Sequence, residues 1–140
     1  IQFTSDYSEI TEPVGILKAI IDVGAFRRGQ KGTETIPVIT DLGDRVVNVP
    51  GRRGLNAFSN TDLEDVLRGH NIRNVVIAGA VTSLCIDSTA RSAFDRDFQV
   101  YILSDCTAGR TDTEQQFYAN EVFPMYSQVI GFEEFLQEIN

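Results

Sequence analysis

The apolar run Asn74-Val75-Val76-Ile77-Ala78 passes directly into Gly79-Ala80-Val81-Thr82-Ser83-Leu84-Cys85-Ile86-Asp87-Ser88-Thr89, and this junction constrains the chain more than any other feature. A near-continuous apolar run reads as a buried strand of a parallel sheet. Its small residues then turn within a few positions into a helix that carries Cys85 at its start. The unpaired backbone N–H groups of a helix N-terminus favour negative charge, so such a turn suits a thiolate and can also hold an oxyanion. Position alone leaves two readings open: a packed small hydrophobe or a nucleophile.

The rest of the chain alternates between helix and strand signals. Glu12 to Val23 suits a short amphipathic helix entered through Pro13 and stopped by Gly24, with Ile16, Leu17, Ile20 and Ile21 on its apolar side. Phe26 to Thr35 reads as a surface loop, and Arg45 to Val49 as a short strand closed by Pro50-Gly51. Thr61-Asp62-Leu63-Glu64 has the capping-box pattern and opens a helix from Asp62 to about Arg68. A strand is expected over Asn74 to Ala80, a helix over Cys85 to Asp95 and a strand over Gln99 to Ser104. A second capping box, Thr111-Asp112-Thr113-Glu114, opens a helix that Pro124 interrupts; Ser127 to Ile130 reads as a last strand and Phe132 to Ile139 as a last helix. The alternation is that of an α/β fold with a parallel sheet and helices on both faces. In such sheets ligands bind beyond the carboxyl ends of the strands, where the segment starting at Gly79 lies.

A chain of 140 residues with 42% hydrophobic content forms one ordinary core, so a single domain over residues 1–140 is expected. The formal net charge of -8 argues against nucleic acid or an anionic membrane as partner, since neither Arg27-Arg28 nor Arg52-Arg53 grows into a basic stripe. No run approaches the roughly 20 apolar residues of a membrane span, and the N-terminus lacks a secretory pattern, so a cytoplasmic protein is expected. Cys85 and Cys106 have no metal-type spacing and His70 is the one histidine, so neither a metal nor another cofactor is expected. His70 reads as a dipole partner at a helix C-terminus.

Gly79, Thr82 and Cys85 followed by Thr89-Ala90 form the pattern Gly-x-x-Thr-x-x-Cys with a Thr-Ala helix. With Asn56-Ala57-Phe58-Ser59-Asn60-Thr61-Asp62-Leu63 upstream and Val100 to Cys106 downstream, the chain resembles the isochorismatase-like cysteine hydrolases from about Ile1 to Asp105. The resemblance implies a Rossmann-like three-layer fold and a Cys85 thiolate that attacks an amide, carbamoyl or similar carbon of a small molecule. It implies a cis peptide at Ala80-Val81, with the Val81 and Cys85 amides as oxyanion donors. Phe58 and Thr82 are the expected substrate-binding residues; Phe58, Tyr7 and Phe26 have two readings, pocket wall or core. The family's lysine falls, by counting back from Asn56-Ala57-Phe58, on Arg52; arginine can stabilise a thiolate but does not readily give up a proton. Asp105, at the end of a strand, reads as a support for the site, and Cys106 as a second thiol whose distance from Cys85 the sequence does not fix.

The family's proton-accepting aspartate ends a first strand that has no counterpart here, and Asp6, Asp41 and Asp44 lie on no matching strand, so the role is carried to no residue. The chain thus reads as N-terminally truncated, lacking about one strand-helix-strand unit. Loss of that strand would expose apolar faces and unpaired edges, and a homo-oligomer is the expected compensation. Two functions follow: a cysteine hydrolase using Cys85 and Arg52, or a catalytically impaired relative that binds a small molecule or serves a structural role.

Overall fold

The computed structural model describes residues 1–139, and the chain divides into two compact units, Ile1–Arg53 and Gly54–Asn140. In the first unit, helix α1 (Gly15–Asp22) lays Ile20 into a small core with Phe3 and Tyr7, with Leu17 and Ile21 packed beside them. The helix begins at Gly15, two residues after Pro13, because Val14 is still extended. Phe3 forms a single parallel bridge with Arg27: its N–H donates to Phe26 O, and Arg28 N–H donates to Phe3 O, both at 2.8 Å. The Tyr7 hydroxyl donates to Ala25 O at 2.6 Å, and the Arg27 guanidinium lies 5.1 Å from the centre of the Tyr7 ring.

The strand expected over Arg45 to Val49 does not form. A short helix α2 (Pro37–Thr40) is followed by a single 3-10 turn at Gly43–Arg45, and the segment beyond it pairs with no strand. Val47 is exposed, so no apolar face holds this stretch against a neighbour.

In the second unit, helix α3 (Leu63–Gly69) precedes strand β1 (Asn74–Ala80). Then come helix α4 (Asp87–Phe94), strand β2 (Gln99–Ala108), helix α5 (Asp112–Phe117), strand β3 (Gln128–Ile130) and helix α6 (Phe132–Glu138). The three strands form a parallel sheet in the order β1-β2-β3. Val100 and Ile102 point to one face, where Ala90 and Ala93 of α4 are fully buried against the same cluster. These two alanines let the helix approach the sheet closely. Tyr101, on the opposite face by strand alternation, meets Phe135 of α6 at 6.2 Å between ring centres. Helices therefore cover both faces, as the alternating pattern predicts.

β1 departs from the expectation of a buried strand. It forms an edge of the sheet, and Val76 is 41% exposed. The β1-β2 pairing also breaks: Ile77 faces Ile102, but Gly79 faces Thr107, so Leu103 to Cys106 bulge out of the ladder. That bulge lies beside the junction that carries Cys85.

Neither capping box forms in full. At α3 the N-cap is Asp62 without a side-chain bond; the Thr61 hydroxyl accepts from Leu63 N–H at 3.4 Å and donates to Ala57 O at 2.6 Å, but Glu64 is taken by Arg68 and Arg96. At α5 the Thr111 hydroxyl does accept from Glu114 N–H at 3.1 Å, but the Glu114 carboxylate turns to Arg110. His70 is the C-cap of α3.

Candidate active site

β1 leaves the sheet through Gly79, whose φ of +119° lies where residues with a side chain are strained. The Ala80–Val81 peptide that follows is cis, as the resemblance implied. The chain then makes one π-helical turn, Thr82–Ile86, before α4 begins. Val81 O accepts from Leu84 N–H at 3.1 Å and from Ile86 N–H at 3.2 Å, so the wider turn closes on the residue just after the cis bond. Such π turns recur at functional sites. Cys85 sits within this turn, half-buried.

Thr82 is completely buried and donates its hydroxyl to Gln115 Oε1 of α5. The Gln115 amide nitrogen in turn donates to Ser104 O and Thr107 Oγ1, each at 3.0 Å. One side chain therefore fastens the cysteine turn to α5 and to the bulged part of β2. Ser83 N–H donates to Glu114 Oε1 at 3.4 Å. Hydrogen bonding from Ser83, then the Arg110 guanidinium at 2.8 Å, holds the Glu114 carboxyl down at about 2.

Further along α4, the Thr89 hydroxyl accepts from Ala57 N–H at 3.0 Å and pins the loop Asn56-Ala57-Phe58. Asp87 accepts from the Tyr126 hydroxyl at 2.6 Å and pairs with Arg91 at 2.9 Å. Burial, then the bond to Asp87, pushes the Tyr126 hydroxyl above its ordinary value. The sequence reading missed Gln115, Glu114 and Tyr126, because each bonds to a residue more than thirty positions away.

The residues named from sequence fall in different settings. Val81, Thr82 and Cys85 lie on the one turn. Phe58 is a core residue, 8% exposed, with its ring 6.0 Å from that of Phe98 and the Arg96 guanidinium 5.0 Å from its centre. Asp105 caps α6: its two carboxylate oxygens each lie 3.0 Å from Phe132 N. Cys106 is exposed and, like the half-buried Cys85, takes part in no disulfide among the described residues; loss of hydration and then the neighbouring Asp105 raise its thiol above the ordinary value. Arg52 belongs to the first unit, where it is half-buried and lines a cleft of about 590 Å³. Asp6, Asp41 and Asp44 belong to that unit too, and hydrogen bonds from Ser8 and Thr4 lower the Asp6 carboxyl. Among the described residues no group of three His, Cys, Asp or Glu is placed to hold a metal, and no helix is long and apolar enough to cross a membrane.

Comparison with known proteins shows the family and the fold. The isochorismatase domain model matches residues 1–134. An uncharacterized isochorismatase family protein of Bacillus subtilis, YwoC, is 32% identical over 88 residues, covering 63% of this chain and 47% of that protein. The ureidoacrylate amidohydrolase RutB of Agrobacterium fabrum is 36% identical over 81 residues, covering 55% of this chain and 34% of its own length. The chain thus matches half or less of the length of these curated relatives. A cysteine hydrolase from Pseudomonas syringae superposes with a TM-score of 0.84 at 22% identity, covering 99% of this chain and 68% of the other, and so shares the fold. With nearly its whole length matched by one family model, the chain belongs to the isochorismatase family.

Proposed function

We propose that this chain carries the nucleophile of a cysteine amidohydrolase acting on a small amide or carbamoyl compound. The observation that carries the reading is the placement of Cys85: half-buried on a turn at the carboxyl end of β1, beside the start of α4, and fastened from behind through Thr82 and Gln115. Ligands of parallel α/β sheets bind at that end. Relatives with amidohydrolase activity support the same class of reaction.

In the proposed reaction the Cys85 thiolate attacks the substrate carbonyl carbon. A C–S bond forms and the carbonyl electron pair moves to oxygen, where the Val81 and Cys85 N–H groups receive it. Collapse expels the nitrogen, which leaves with a proton as ammonia or an amine. Water then cleaves the thioester to the acid and restores the thiol. Arg52 stands where the resemblance puts the family's lysine, and a guanidinium favours an anion without exchanging protons. The acceptor of the thiol proton is assigned to no residue of this chain. Thr82 and Phe58 act through position, Thr82 by holding the turn and Phe58 by seating the adjoining loop in the core.

The test is release of ammonia from a panel of small amides and ureido compounds, including ureidoacrylate, by the wild-type chain and by Cys85→Ala and Cys106→Ala. Turnover that survives Cys106→Ala and falls to background in Cys85→Ala is expected. Turnover that persists in Cys85→Ala would overturn the assignment.

A further inference from the structure

We propose that Gln115 is a positioning residue for the reaction, because its single amide holds the chain on both sides of Val81. The proposal rests on the reading above, in which the Val81 N–H is an oxyanion donor.

On the side after Val81 the tie is direct: Gln115 Oε1 accepts from the Thr82 hydroxyl. On the side before it the tie runs through β2. Gly79 and Ala80 face Thr107 and Ala108 across the sheet, and Gln115 Nε2 donates to Thr107 Oγ1 and to Ser104 O, each at 3.0 Å. The Thr107 hydroxyl donates in turn to Ser104 O at 3.2 Å. Ser104, Thr107 and Gln115 thus close a ring of hydrogen bonds over the bulge, and the ring fixes the part of β2 that Gly79 and Ala80 pair with.

The carboxamide matches these partners atom by atom. Thr82 offers an O–H, Ser104 a carbonyl, and Thr107 an oxygen whose own hydrogen goes to Ser104 O, so the centre of the network needs one acceptor and two donors. A glutamine amide supplies that set, and a carboxylate or an apolar side chain does not. The backbone places it: a Cβ added at Gly109 would lie 3.1 Å from Gln115 N and 3.4 Å from Gln115 Cα, so the chain leaving β2 runs close against α5 at this residue. The neighbouring tie, from Ser83 N–H to Glu114, is longer at 3.4 Å.

Thr82 is fully buried, so its bond to Gln115 acts on the turn and not on a ligand. A donor aimed at charge that develops in the transition state affects kcat when it is displaced, and leaves ground-state binding largely as it was. A misplacement of about 1 Å can cost on the order of a hundredfold in rate.

Steady-state kinetics on ureidoacrylate, or on the amide of the panel above that is hydrolysed fastest, test the proposal together with amide hydrogen exchange. Gln115→Leu removes all three bonds, Thr82→Val removes only the bond to the turn, and Thr82→Ser keeps that bond. Gln116→Ala, at an exposed position of the same helix, is the control. Circular dichroism checks that each variant is folded under assay conditions. Gln115→Leu and Thr82→Val should each lower kcat about tenfold or more with KM within about twofold, while Thr82→Ser and Gln116→Ala stay within about threefold of the wild-type kcat. Exchange of residues 81–86 should quicken about tenfold or more in Gln115→Leu and Thr82→Val, and by a larger factor than that of residues 100–103. Unchanged kcat in both variants, a raised KM with kcat kept, or equal acceleration of the two segments would each overturn the proposal. Turnover that Gln115→Leu leaves intact would keep the hydrolase reading and remove this one. A folded wild-type chain that hydrolyses none of the panel would remove the hydrolase reading, and the exchange comparison would then decide by itself whether Gln115 holds the turn.

Discussion

The Thr82 hydroxyl donates to Gln115 Oε1 across thirty-three residues of sequence, and through this bond the turn that carries Cys85 is held by α5. Thr82 is fully buried, so water cannot replace a lost partner. Gln115→Ala leaves the Thr82 hydroxyl, Ser104 O and the Thr107 hydroxyl short of a partner at once. It should destabilise the fold by about 1–3 kcal/mol, an amount that urea unfolding measures. A change within the ±0.5 kcal/mol of an ordinary surface substitution would show that the amide is dispensable.

Two glycine substitutions should act with opposite signs. Gly79 has φ +119°, and the nearest atom to a Cβ added there, Ile86 Cδ1, is 3.8 Å away, so backbone conformation and not space is the obstacle to Gly79→Ala. A loss of about 1–3 kcal/mol is expected. Gly69 ends α3 with open space around it, and Gly69→Ala should leave stability unchanged or raise it by up to about 1 kcal/mol. Thermal unfolding of the two variants side by side reads the contrast.

Glu114 gives the fold an acid-sensitive element. Its carboxyl is held near 2, below its ordinary 4.5, so the native state prefers the charged form. That preference contributes stability above about pH 4.5, which is lost as pH falls toward 2. Glu114→Gln should therefore flatten the decline of stability across this window. An unchanged acid limb in denaturant unfolding would contradict the role given to Ser83 and Arg110.

Tyr126 makes the opposite case at high pH. Its neutral form is favoured by burial and by the bond to Asp87, so its stabilising contribution is complete below the ordinary tyrosine value of about 10 and is lost as pH rises beyond it. Spectroscopic titration should show one tyrosine that ionises late and disappears from the curve in Tyr126→Phe. That variant keeps the Asp87–Arg91 pair and should cost about 0.5–1.5 kcal/mol.

Local signals in the sequence reached the strands and failed where distant partners decide. The apolar run from Asn74 names β1 to the residue, and β2 begins at Gln99 as read but continues to Ala108, through a bulge that no local pattern marks. The Thr111 cap is legible because its partner is three residues away; Thr61 shows the same pattern, yet Arg68 and Arg96 draw Glu64 away from it. Arg45 to Val49 has the composition of a strand but no neighbour to pair with. The cysteine turn stood out by its small residues and its position after β1, whereas the wider helical turn at Thr82–Ile86 depends on carbonyls and amides that composition does not encode.

Competitive alkylation of the folded chain with limiting iodoacetamide, read by peptide mass, tests most directly the claim that Cys85 is a primed nucleophile. Cys106 is the more exposed of the two thiols, so accessibility alone places the first label there. The account predicts that Cys85 is labelled first and that the preference vanishes on unfolding. Labelling of Cys106 ahead of Cys85 in the folded chain would contradict it.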